Sequence, residues 1–160
     1  MAHKLALVIA LGAYVRIVSG RYVVGFAWVQ DRTLIGSDSF PAPADQDEPG
    51  RLGELWGRTE GVIAEAKPDL FVLKTSEIAR TSANAVLAHR AEGVVLAAAS
   101  RPDGIEISQL SRQRLANHAG TKKGNEIVEV LCAALDQVPA QAECQHAAAA
   151  AVGAMVIAGM

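Results

Sequence analysis

The chain has 160 residues and a formal net charge of −2. That is the size of one domain with a real core, and the near balance of charge excludes a polycation, so any surface for nucleic acid has to be a local patch. Half the residues are apolar but only 4% are aromatic, which predicts a core of small aliphatic side chains between closely packed helices. Cys132 and Cys144 have no C-x-x-C spacing and no nearby histidine pair. Neither a zinc site nor a disulfide framework is expected from them, and two ordinary thiols fit a reducing cytoplasm.

Lys4 followed by an apolar run from Leu5 to Leu11 has the outline of a signal peptide. The run is short, and Arg16 and Arg21 follow without a convincing cleavage site, so the expectation is a core strand at Leu5 to Ala10 in a cytoplasmic protein. Tyr14 to Val18 reads as a second strand, or as a continuation bent at Gly12. Ser19-Gly20 is a turn. Arg21 to Gln30 is a strand in which Tyr22, Val24, Phe26 and Trp28 alternate with Val23, Gly25 and Ala27. Asp31-Arg32 turns the chain into Thr33 to Phe40, which completes an antiparallel meander. Pro41 to Pro49 is an acidic, proline-punctuated loop.

A helix is predicted from Arg51 to Lys67, with Leu52, Leu55, Trp56, Thr59, Ile63 and Ala66 on one face, ended by Lys67-Pro68. Asp69 to Leu73 is a short apolar burst between two helical patterns, the mark of a buried parallel strand. Lys74 stands at its carboxyl end, where α/β proteins place their chemistry. Ile78 to Asn84 is polar, and Ala85 to Ser100 reads as a helix. Ile105 to Ser108 is a short strand after the turn at 102–104. Ser111 to His118 is a short basic helix, followed by a basic loop at 119–124 and a helix from Asn125 to Leu135. Pro139 is placed to open the last helix at its first position, and the helix runs through the alanine tract to Ile157. The segment from Ala147 to Met160 is too short to span a bilayer. One domain, residues 1–160, is expected. The order of elements is that of an α/β, ribonuclease-H-like fold: a mixed sheet with an N-terminal antiparallel meander and helices on both faces.

Several stretches carry a closer resemblance. They are Ala66-Lys67-Pro68-Asp69-Leu70-Phe71-Val72-Leu73-Lys74, then Ala88-His89-Arg90-Ala91-Glu92-Gly93-Val94-Val95-Leu96, then Arg114 to Glu126, and finally Glu143-Cys144-Gln145-His146 before the alanines. In this order they resemble the RuvC family of Holliday-junction resolvases over a little more than half the chain. The resemblance implies a ribonuclease-H-like fold and a nuclease in which four acidic side chains hold two Mg²⁺ ions that activate water and stabilise the leaving oxygen. Most of that ligand set does not carry over. The first-strand aspartate would fall at Ala10, or near Val18 or Ser19, and the central glutamate becomes Lys74. Glu143 and His146, three apart on one helical face, are what is left of the catalytic set.

An ammonium about 4.5 Å from a divalent ion is opposed by roughly 7 kcal/mol at an effective dielectric of 20, so no bound metal or other cofactor is expected. Lys74 then has three readings: a strand cap paired with Glu143 across the vacated site, a phosphate-binding lysine in a nuclease-derived groove, or a plainly solvent-exposed side chain. Glu143 also reads as a first-turn acid at the positive end of a helix. From Arg101 to Lys123 five basic residues (Arg101, Arg112, Arg114, Lys122, Lys123) face Asp103 and Glu106, net +3, with Arg80, His89 and Arg90 as possible neighbours. That is the footprint of phosphate contacts or of a solvated surface.

The leading expectation is a DNA-binding protein, with branched DNA as a candidate partner and Lys74, Arg112, Arg114, Lys122 and Lys123 as contacts. A divergent Mg²⁺- or Mn²⁺-dependent nuclease using Glu143, His146 and a further acid such as Glu77 or Asp69 is the alternative. A protein-interaction module, with the alanine-rich last helix packing a homodimer, is the third.

Overall fold

The structure is a computed structural model that describes residues 7–76 and 82–159. The beginning of the expected first strand, Glu77 and Arg80 lie outside the described residues.

The meander forms as the alternation predicts, with one difference. β1 (Ile9–Val18) is a single continuous strand, not two pieces bent at Gly12. It pairs antiparallel with β2 (Arg21–Gln30), which pairs with β3 (Thr33–Pro41). Ser19 (φ 51°) and Gly20 (φ 72°) make the tight turn between the first two strands, and both take the left-handed conformation. Gly12 is needed for another reason: it faces the last helix so closely that a Cβ there would overlap the carbonyl of Ala147.

The acidic loop ends at Asp47, whose side chain accepts a hydrogen bond from the amide of Gly50 (2.9 Å) and so caps α1 (Glu48–Ala66). The helix begins three residues earlier than its apolar pattern suggested, because Pro49 fits the first turn without losing a helical hydrogen bond. Lys67, in the left-handed conformation, closes it. β4 (Leu70–Lys74) is buried at every position. It runs parallel to β1 on one side and to β5 (Glu106–Leu110) on the other. α2 (Ala83–Ser100), capped by Ser82, connects β4 to β5. Beyond β5 come α3 (Arg112–Ala119), α4 (Gly124–Cys132) and α5 (Ala142–Ile157). The cap of α5 is Gln141, two residues after Pro139, so the proline does not open the helix. The Pro139 carbonyl instead accepts a hydrogen bond from the Gln145 side chain (2.9 Å).

The strand order is β3-β2-β1-β4-β5. Side chains alternate across the sheet and build a core on each face. Leu11, Val15, Phe26, Phe71 and Leu73 pack against α1 and α2. Ala10, Ala27, Leu70 and Val72 pack against α5, with α3 and α4 outside it. The second core is made largely of alanine, and Ala147 to Ala151 are all fully buried. The poverty in aromatics has its consequence here: small side chains let a helix backbone lie almost on the strand backbone. Among the described residues no helix is long and apolar enough to cross a membrane.

Candidate functional site at the carboxyl ends of β1 and β4

Lys74 is the last residue of β4, with its side chain on the α5 face of the sheet. Its parallel-ladder partner on β1 is Tyr14. Alternation along β1 puts Gly12, Tyr14 and Arg16 on this same face. α5 crosses here, and the glycines at 12 and 25 allow it to come close: a Cβ on Gly25 would overlap the backbone of Glu143. The first turns of α5 therefore deliver Glu143 and His146 onto the ends of the strands.

Three side chains meet at one point. Lys74 Nζ lies 2.6 Å from His146 Nδ1. The Tyr14 ring stacks on the His146 ring with centroids 4.5 Å apart, and Lys74 Nζ lies 5.0 Å from the Tyr14 centroid, within cation–π range. Burial, then the Lys74 ammonium, then the Arg16 guanidinium push the imidazole down to about 4 from its ordinary 6.5. At neutral pH it is uncharged and offers the Nδ1 lone pair to the ammonium, which leaves its proton on Nε2. A buried cation is tolerated only with such partners, and Lys74 is 6% exposed.

Glu143 does not pair with Lys74, contrary to one of the three readings of the sequence, and the buried Lys74 is not the solvent-exposed side chain of another. It turns the other way, accepting a hydrogen bond from Ser39 Oγ on β3 (2.6 Å) and standing 3.9 Å from the Arg16 guanidinium. Just past Lys74, the backbone and hydroxyl of Ser76 both donate to the buried carboxylate of Glu92 on α2 (3.1 Å each), and His89, one turn earlier on α2, faces the same carboxylate at 3.3 Å. Glu92 thus anchors the chain immediately after the site.

The register corrects the sequence reading of β1. Ala10 pairs with Leu70 at the start of β4 and is buried in the core, while Val18 and Ser19 lie beyond the last residue paired with β4. The residue beside Lys74 is Tyr14. Neither expected position of the first-strand aspartate falls next to the lysine, and β1 carries no acid that could have marked the register in the sequence. Asp69 is also removed from the site: it precedes β4, about 16 Å from Lys74 at strand spacing, and it accepts a hydrogen bond from the Ile9 amide (2.9 Å).

The basic stretch divides in two. Arg101 lies over Trp56 (5.9 Å) and shares a cleft with Lys67 and Pro68 at the amino end of β4. Arg90 forms a close ion pair with Glu48 between α2 and α1 (2.6 Å), and His89 faces Glu92. Arg112, by contrast, follows the carboxyl end of β5, whose Leu110 is the register partner of Lys74. Its guanidinium donates to the Lys122 carbonyl (3.1 Å) and folds the 120–123 loop back along α3. Arg114, Lys122 and Lys123 are exposed, and Lys123 stands 3.8 Å from Glu126. Arg112, Arg114, Lys122 and Lys123 thus belong together, on the elements that follow the carboxyl end of β5.

The resolvase resemblance implies two divalent ions at this place, and the donor set does not fit them. Among the described residues no group of three or more His, Cys, Asp or Glu side chains converges on a point. The carboxylate that the cluster does contain, Glu143, is engaged by Ser39 and Arg16, and the imidazole lone pair is turned to an ammonium. Cys132 and Cys144 are buried free thiols, both raised to about 11 by burial, with Cys144 Sγ donating to the Asp38 carbonyl (3.2 Å).

A five-stranded sheet ordered 3-2-1-4-5, with only the second strand antiparallel to its neighbours and helices on both faces, defines a ribonuclease-H-like fold. No protein-family model and no curated protein matches the sequence. Among solved structures the chain is similar to Thermus thermophilus RuvC, with a TM-score of 0.74 and 18% identity over 95% of this chain and 96% of that one. It is similar also to T. thermophilus RuvC in complex with Holliday junction substrate (0.73, 16% identity, 96% of each chain). The yeast mitochondrial Holliday junction resolvase Ydc2 follows at 0.60 and 12% identity, over 91% of this chain and 77% of that one. The fold is RuvC-like, as the sequence resemblance predicted.

Proposed function

We propose that this protein binds DNA, branched DNA in particular, at the end of the sheet where β1, β4 and β5 finish, and that it does not cut it by the two-metal route. The observation that carries the reading is the Lys74–His146–Tyr14 cluster at the strand end, in a fold whose solved relatives include a RuvC bound to a Holliday junction. Three features support it. The site is cationic through Lys74 and the half-exposed Arg16. The exposed Arg114, Lys122 and Lys123, with Arg112 bracing their loop, extend that charge along the neighbouring elements. Among the described residues the donor set lacks the converging carboxylates that divalent ions require.

Within this reading the roles divide by exposure. Arg16, Arg114, Lys122 and Lys123 reach phosphate directly, while Lys74 acts from beneath the surface through its field and by fixing the state of His146. A cytoplasmic location and a homodimer go with the reading as parts of the proposal, but the alanine-rich α5 is not the dimer seam expected from the sequence, because Ala147 to Ala151 are buried in this chain's own core.

Fluorescence anisotropy with four-way junction, duplex and single-stranded DNA at low and moderate salt tests it. Binding of the junction in preference to the other two, weakened steeply by salt, is expected. If none of the three binds at low salt, the proposal fails. Incubation of the junction with Mg²⁺ or Mn²⁺ is expected to leave it intact; cleavage abolished by Glu143→Ala would establish the nuclease alternative instead.

A further inference from the structure

Where the resolvase resemblance calls for carboxylates around divalent ions, this chain places a lysine, a tyrosine and an uncharged imidazole in mutual contact. Each element of that contact has a local cause. The parallel register sets Tyr14 beside Lys74, with neighbouring strands about 4.8 Å apart. The glycines of β1 and β2 seat α5 against the sheet, which brings His146 onto both. Glu143, one turn earlier on α5, is held away by Ser39 and Arg16.

We infer that Lys74, held by His146 and faced by Tyr14, is a built-in replacement for a divalent ion: a fixed positive charge, carried by the chain itself, at the point where the fold would otherwise enclose a metal. The inference rests on the metal-free part of the proposed function and not on DNA binding. It explains why an ammonium is kept at the end of a fully buried strand, where a neutral residue would avoid the cost of burying charge. It also has a constructive consequence. Tyr14 and Lys74 are lateral neighbours on one face and both touch His146, so carboxylates at these two positions would converge with His146. Two carboxylates and one imidazole suit Mn²⁺.

The test is titration of Mn²⁺ alone, followed by the electron paramagnetic resonance signal of the free ion, into the wild-type protein and the Tyr14→Asp/Lys74→Glu variant. No nucleic acid is present, so the outcome is separate from that of the DNA experiment. The wild-type protein is expected to leave millimolar Mn²⁺ free, with a melting temperature indifferent to Mn²⁺ and to EDTA. The double variant is expected to bind Mn²⁺ at least about a hundredfold more tightly, since a repelling charge becomes two attracting ones, and to melt higher when Mn²⁺ is present. Wild-type binding of Mn²⁺ that Glu143→Gln or His146→Gln removes would overturn the inference. So would a double variant that is folded by circular dichroism yet binds no better than wild type. If that variant does not fold, Lys74→Glu alone, which leaves Tyr14 stacked on His146, faces the same requirement, and the wild-type titration decides without any variant.

Discussion

At the scale of single residues, His146 links the site to stability. Its imidazole is held uncharged down to about pH 4, first by burial and then by the nearby cations Lys74 and Arg16, whereas in the unfolded chain it protonates near its ordinary 6.5. Between these values the unfolded state takes up a proton that the native state refuses. The native state therefore has this contribution in full above pH 6.5 and loses it as the pH falls toward 4. With allowance for the part of the ring that solvent screens, the loss is about 1–2 kcal/mol. Urea unfolding at pH 7.0 and pH 4.5 measures it. His146→Gln keeps an acceptor for Lys74 but cannot titrate, so the stability difference between the two pH values should shrink by that amount. Carboxylates contribute to both proteins alike and cancel in the comparison.

At the scale of elements, the close approach of α5 to the sheet makes the site possible, and it depends on two glycines that no helix or strand propensity would favour. Gly12→Ala should cost about 3 kcal/mol or more, because the added Cβ meets the backbone carbonyl of Ala147 and a backbone cannot swing aside as a side chain does. Gly57→Ala is the opposite case. It lies exposed in α1 with open space around it, so the substitution should stabilise by about 0.5–1 kcal/mol through helix propensity alone. Thermal melts of the two variants should move in opposite directions.

The same elements show what was legible in the sequence. Period-2 alternation in β2, the apolar burst of β4 and the helical stripe of α1 are local signals, and they located the fold. Lys74 was visible as a charge at the end of an apolar run, and Glu143 and His146 as an i, i+3 pair. Their partners were not visible. Tyr14 beside Lys74 is a matter of strand register, and Ser39 with Glu143 spans 104 residues, so neither leaves a mark in local periodicity. The alternation of Gly12, Tyr14 and Arg16 was the available clue: a glycine, an aromatic and a cation on one face of a strand that is otherwise aliphatic.

At the scale of the whole molecule, charge decides what the protein can hold. A chain of net charge −2 has no general affinity for polyanions, so the proposed binding would have to come from a local group of cations, those at the end of the sheet where β1, β4 and β5 finish. Arg90 and Arg101 are engaged elsewhere, by Glu48 and Trp56. The exposed Lys122 and Lys123 therefore carry a large share of any phosphate contact. Each neutralised phosphate releases condensed counterions, so a plot of the logarithm of junction affinity against the logarithm of salt concentration should be a line whose slope counts them. Lys122→Glu/Lys123→Glu should weaken binding at every salt concentration and flatten that slope by about 2, one for each phosphate that a lysine no longer neutralises. Arg90→Glu, on a different pair of helices, should leave the slope unchanged even though it breaks an ion pair and lowers stability. A slope that responds equally to both variants would mean that the DNA lies across the α1–α2 face and not along the elements that follow β5.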